Sequence, residues 1–165
     1  MNFSTQCTVD TQILRDFVYT FPATHVATLN LAHGYRNIHG ARKVCSNFVY
    51  KFNSAIWGRD GWKSRERILG VMPVIHNRRN VDVCHLHLAF YGFPERLTED
   101  AISCRYYNTA KHTQGVQYEL HGQHHVDFGV LTGGWLSYMT RKIKGLGDEN
   151  LLIEFAEMPG LTSGN

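Results

Sequence analysis

The stretch Cys84-His85-Leu86-His87-Leu88 sets two imidazoles two residues apart in an otherwise apolar run. Alternate side chains of a strand share a face, so His85 and His87 point one way and Cys84, Leu86 and Leu88 point the other, into a core. Two imidazoles held on a rigid strand are a ready pair of metal ligands, although the same pair also suits the wet side of a half-exposed strand. His76 closes the apolar run that precedes this one. Strand neighbours in a ladder lie about 5 Å apart, so a hairpin in the right register makes His76 a candidate third ligand, with Asp82 as the alternative and an ordinary histidine capping a turn as the plain reading. A second stretch, Gly133-Gly134-Trp135-Leu136-Ser137-Tyr138-Met139-Thr140-Arg141-Lys142, carries a different chemistry. On a helix Tyr138, Arg141 and Lys142 share one face, while Trp135 and Met139 fall on another and pack on the sheet. A cation one turn from a tyrosine holds a phosphate beside the hydroxyl or eases its ionisation. The same stretch also reads as an amphipathic helix with a half-buried tyrosine and a solvated basic end.

The elements that must position these residues follow from periodicity. Residues 25–31 alternate and are rich in β-formers, which predicts a strand. Val44, Phe48, Phe52 and Ala55 recur at helical spacing, which predicts an amphipathic helix over 41–57. An apolar strand over 68–76, a turn at 78–80 and a strand over 81–90 make a hairpin. Thr98, with Glu99 and Asp100 behind it, opens a helix that runs to 111. A strand over 126–131, a Gly-Gly break and a helix over 135–144 follow, with an edge strand expected at 151–155 and a short helix at 11–21. The order β-α-β-β-α-β-α is the split βαβ pattern. It predicts an α+β, ferredoxin-like antiparallel sheet with helices packed mainly on one face and the other face free for a partner.

With 165 residues the chain fits one domain, expected over 1–158 with a loose tail at 159–165. The net charge of +3 permits a nucleic-acid partner without requiring one. The four cysteines form no CxxC pair and no zinc spacing, and read as reduced thiols. The first residues carry no signal-peptide pattern, and no apolar run approaches the ~20 residues of a membrane helix. A cytoplasmic location and no membrane partner are expected. Arg78 and Arg79 in the hairpin turn, and Arg42 and Lys43 on the first helix, are candidate phosphate contacts. Arg59, Lys63, Arg65 and Arg67, interleaved with Trp57 and Trp62, form a basic and aromatic loop that suits backbone contact and base stacking on single-stranded or hairpin DNA, or else a solvated loop anchored to the core by its tryptophans. His121, His124 and His125 either line the same face or lie on the surface.

Taken together, THVATLNL (24–31), RILGVMPVIH (67–76), HLHLAF (85–90) and GGWLSYMTRK (133–142) give a layout that resembles the HUH endonuclease superfamily. Within it, the chain is similar to the single-tyrosine initiators of rolling-circle replication of plasmid and phage type. The resemblance implies a Rep-type fold, with His85 and His87 as the paired metal ligands and Tyr138 as the nucleophile. His76 stands where many members carry a carboxylate. Arg141 stands where they carry a lysine, and Lys142 follows it. It further implies a divalent metal, Mn or Mg, and single-stranded or hairpin DNA at a replication origin. Cleavage would leave a 5′-phosphotyrosine and a free 3′-OH. A transposase or relaxase would use the same chemistry. A metal-dependent hydrolase without a covalent step, or a non-catalytic nucleic-acid-binding module, is the alternative of another class. No GxxxxGK[ST] loop occurs in the sequence, so unwinding is expected from a separate host helicase.

Overall fold

The computed structural model describes residues 12, 16–60, 67–77 and 84–140. The alternating segment near the start forms strand β1, His25–Asn30, followed by a 3-10 turn at His33–Tyr35. Helix α1, Ile38–Trp57, starts three residues before the apolar periodicity does, because Asn37 caps it by accepting from the Gly40 amide at 2.8 Å. Strand β2, Gly70–Asn77, and strand β3, Cys84–Tyr91, are the expected hairpin arms. Thr98 accepts from the Ala101 amide and opens helix α2, Glu99–Lys111, whose first turn carries two acids that oppose the positive end of the helix dipole.

A two-stranded hairpin, β4 (Glu119–Leu120) with β5 (Gln123–His124), was not expected from periodicity: its four strand residues are all exposed and give no apolar pattern. Strand β6, Val126–Val130, and helix α3, Trp135–Thr140, complete the described elements. The anticipated edge strand at 151–155, the rest of the last helix and the tail lie outside the described residues. Of the early helix, 16–20 is helical.

The molecule is α+β, with a four-stranded sheet in the order β2-β3-β1-β6 and every neighbouring pair antiparallel. The order is compatible with the ferredoxin-like arrangement. Pro73 lies in β2, an edge strand of the described sheet, where a missing amide donor is tolerated.

One sheet face carries α1 and α2. Leu29 of β1, Val71 and Ile75 of β2, and Leu86, Leu88 and Phe90 of β3 pack there against Val44, Phe48 and Phe52 of α1 and Ile102 and Tyr106 of α2. His25 is also buried on this side, between Phe93 and Phe128, with ring centroids 4.6 and 5.5 Å away. Its Nε2 donates to Glu99 Oε2 at 2.8 Å and so docks the first turn of α2.

The second face is not free, which corrects the expectation from sequence. Met72, Val74 and Ala89 form a smaller cluster there with Val18, Phe21 and Met139, and Trp135 and Leu136 pack against it. The reason is that β2 is apolar at consecutive positions, with Val71 to His76 buried throughout, so it must be covered on both sides. The part of this face over β1 and β6 carries polar residues and is less covered.

Leu86, on the fully buried side of β3, is a sensitive test of this packing. Leu86→Ala should destabilise the protein by about 2–5 kcal/mol in urea denaturation. A serine at the exposed Cys104 should stay within about 0.5 kcal/mol of the parent.

Candidate metal centre and its tyrosine

The antiparallel register of the hairpin decides where the histidines meet. His76 of β2 pairs directly with His85 of β3, and Val74 pairs with His87. Residues opposite each other on antiparallel strands project to the same face, so His76, His85 and His87 converge on the side away from α1. Their ligand atoms all lie within 4.8 Å of one another. The ring centroids are 4.3 Å apart for His76 and His87, 4.8 Å for His85 and His87, and 5.8 Å for His76 and His85. His76 and His87 are buried, at 4% and 3% exposure, and His85 is half-buried.

Three imidazoles in this arrangement could hold a metal ion. Bonds of about 2.0–2.1 Å bring ligating nitrogens to about 3.3 Å from one another at tetrahedral angles, so capture needs ring adjustments of about 1 Å. Outer contacts orient two of the rings, as ligand histidines require. His76 Nε2–H donates to the Met139 carbonyl at 2.9 Å, which places the lone pair of the neutral ring on Nδ1. His87 Nδ1 is hydrogen-bonded to Thr28 Oγ1 at 3.0 Å, which leaves Nε2 as the nitrogen that could ligate a metal. Thr28 is itself held from behind. Tyr106, fully buried, donates its hydroxyl to the Thr28 carbonyl at 3.0 Å. Burial, reinforced by the nearby Tyr107 and Asp127, pushes the Tyr106 phenol well above its ordinary range, so it remains a donor.

Helix α3 lies over this centre. Gly134 takes φ +84°, a left-handed conformation that only glycine adopts without strain, and its carbonyl accepts from the Tyr138 amide at 2.9 Å. Met139 turns inward and is fully buried against the second-face cluster. Tyr138, the residue before it, is 36% exposed and faces the histidines, with its ring centroid 5.4 Å from His76 and 5.2 Å from His87. Trp135 meets the His87 ring edge-on at 5.6 Å. The sequence-based expectations that Trp135 and Met139 pack on the sheet and that His76 joins the pair both match this geometry.

Of the other candidate residues, some lie outside the described residues and the described ones lie apart from this centre. Arg141 and Lys142, Arg78 and Arg79, and Trp62, Lys63 and Arg65 lie outside the described residues, as does Asp82. Arg67 is exposed and precedes the far end of β2, at least about 20 Å of strand from His76. Arg42 and Lys43 belong to α1, on the opposite side of the sheet. His121 and His124 are exposed and His125 is half-buried. Sequence reasoning missed Thr28 and the Met139 carbonyl. The alternation of β1 carried a signal for Thr28, since Ala27 and Leu29 face the core and the residue between them must face the histidines. A backbone carbonyl leaves no such trace.

The chain matches no protein-family model, and no curated protein or solved structure shows a significant match to it. Among the described residues no helix is long and apolar enough to cross a membrane.

The centre should be measurable by isothermal titration with Mn(II) or Zn(II). His87→Ala should abolish binding at this site. Thr28→Val, which removes the hydrogen bond to His87 and keeps the shape, should weaken it about 10–100-fold, while Thr28→Ser should retain most of it. Affinity should fall as the pH is lowered, because protons compete for the ligating nitrogens.

Proposed function

We propose that this protein is a metal-dependent, site-specific single-stranded DNA endonuclease and strand transferase of the HUH type, with a ferredoxin-like, Rep-type fold, acting as an initiator of rolling-circle replication. The observation that supports this reading best is the position of the Tyr138 ring, beside both His76 and His87. Tyr138 and the histidines come from separate elements and are brought together by the docking of α3. A half-exposed tyrosine at the rim of a three-histidine cluster is the arrangement that attack on a phosphodiester requires.

The chain's residues divide the work. His76, His85 and His87 would hold a divalent cation, and the chemistry it would supply is Lewis-acid stabilisation of charge on the phosphate. An all-imidazole set departs from the oxygen ligands that Mg(II) and Mn(II) favour and also suits Zn(II) or Ni(II), so the choice of Mn(II) rests on the family resemblance. The Tyr138 hydroxyl oxygen attacks phosphorus. The Oη–P bond forms, the P–O3′ bond breaks, the phenolic proton passes to solvent and the departing O3′ takes up a proton. The products are a 5′-phosphotyrosine and a free 3′-OH. Because the phosphodiester energy is retained in the tyrosyl ester, a later 3′-OH reverses the step and rejoins the strand. Arg141 and Lys142, three and four residues after Tyr138, are assigned to phosphate contact. The partner is single-stranded or hairpin DNA at a replication origin, with unwinding left to a separate helicase.

The test is an adduct assay. The protein and Tyr138→Phe are incubated with a labelled random single-stranded DNA library, with Mn(II) or with EDTA, and resolved on a denaturing protein gel. The expected result is a Mn-dependent, SDS-resistant protein–DNA band that Tyr138→Phe and EDTA both remove. Cleavage that persists in Tyr138→Phe without an adduct would mark a hydrolase and overturn the covalent step. Binding without cleavage would mark a non-catalytic module.

A further inference from the structure

Beside the histidines, on the same sheet face, lies an open groove of about 310 Å³ lined by Thr28, Asn30, His124, His125, Val126 and Asp127. Its floor continues the rows that carry the metal ligands. Thr28 pairs with His87 on one side and with Asp127 on the other, and Asn30 pairs with His85. Paired Cα atoms lie about 4.5–5.5 Å apart, which puts Asp127 about 10 Å from His87 along the row. The groove is therefore placed for a neighbour of the scissile phosphate and not for that phosphate itself.

Its chemistry selects a base over a phosphate. Asp127 is exposed, and a carboxylate accepts hydrogen bonds only and repels a phosphodiester at short range. Two N–H donors side by side match it. The outer wall carries His124, whose ring is braced by Tyr118 at 4.9 Å and Tyr107 at 5.8 Å between centroids, and unstacked bases settle on such ring faces. Asn30 Nδ2 donates to the His125 carbonyl at 2.7 Å and ties this wall to the floor. Thr28 supplies the third group. When His87 Nδ1–H donates to Thr28 Oγ1, the tautomer that makes Nε2 the ligating atom, the Thr28 hydroxyl hydrogen is left to donate onward.

We propose that this groove binds a guanine base next to the scissile phosphate, with its N1–H and N2–H₂ donating to Asp127, its O6 accepting from the Thr28 hydroxyl and its ring stacked on His124. Thymine is rejected, because its edge presents one N–H between two acceptors to the carboxylate. Asp127 is then a specificity-determining residue for nicking, and the inference rests on the nicking activity proposed above.

The test uses a site selected from the random library and four versions of it at each position flanking the nick, one per base, with adduct formation followed as kcat/KM. The wild-type protein should prefer guanine at one flanking position by about tenfold or more, and Asp127→Asn should reduce that preference about tenfold with Mn(II) affinity unmoved. Adducts formed with no guanine preference at either neighbour, or with a preference that Asp127→Asn leaves intact, overturn the groove assignment while the nicking reading stands. A uniform loss of kcat/KM on all four bases in Asp127→Asn also overturns it, since that marks a general role. No adduct from the wild-type protein on any substrate overturns the nicking reading, and the groove assignment with it.

Discussion

Strand register is the constraint on which the rest of this structure depends. β3 lies between β2 and β1, and its residues alternate between a core face of Leu86, Leu88 and Phe90 and an opposite face of His85, His87 and Ala89. A slip of one residue against either neighbour would exchange the two sets. Imidazoles would meet Phe48 and Phe52, and two leucines and a phenylalanine would be forced into the smaller covered face where the histidines and Ala89 now fit. The hydrophobic core therefore fixes the histidines without touching them. The His76–His85 pairing follows from the same register on the other side of the strand, so the third imidazole is placed by the fit of Val71 and Ile75 beneath α1 as much as by anything near it.

The second face is organised by a different balance. β2 is apolar on both sides, and α3 with the segment around Val18 and Phe21 supplies the cover. Covering Met72 and Val74 brings Met139 down onto the sheet, and a helix that buries Met139 must present Tyr138 about 100° around its axis. The hydrogen bond from His76 to the Met139 carbonyl locks this docking to one ring of the histidine cluster. Burial of apolar surface and orientation of the His76 ring thus act through one residue, whose side chain packs while its carbonyl accepts. In the proposed mechanism, a change that loosens α3 would disturb the tyrosine and His76 at once.

Much of this was legible in the sequence because parity and periodicity are strong signals. The alternation of 84–90 fixed which histidines share a face, and the short link to 76 made a hairpin and a third histidine plausible. The i, i+4 spacing of Trp135 and Met139 separated a packing stripe from Tyr138. What stayed hidden has physical reasons. The β4–β5 hairpin carries no apolar pattern, since all four of its strand residues are exposed, and it depends on His121 and Gly122 at positive φ for its turn. The cover on the second face could not be inferred from β2 alone, because a doubly buried strand reads like a buried edge and says nothing of what lies on it. The start of α1 was missed because it rests on a cap, Asn37, and not on the apolar stripe.

Thr28 is where these threads join. It stands between His87 and Asp127 in one row across three strands, its hydroxyl bonds the ligand ring and its carbonyl is held by a buried tyrosine from α2. A threonine in a central strand is stiff at χ1, so its hydroxyl direction is set largely by the backbone. The hydrogen bond that selects the His87 tautomer also determines whether the hydroxyl is a donor toward the groove. Under the proposed reading, metal capture and base selection are therefore not independent. A metal held at Nε2 would leave the proton on Nδ1, which would make Thr28 an acceptor there and leave its hydroxyl a donor for the base. Base discrimination at the groove would then be sharpest in the metal-loaded state, the state in which the phosphate is cut.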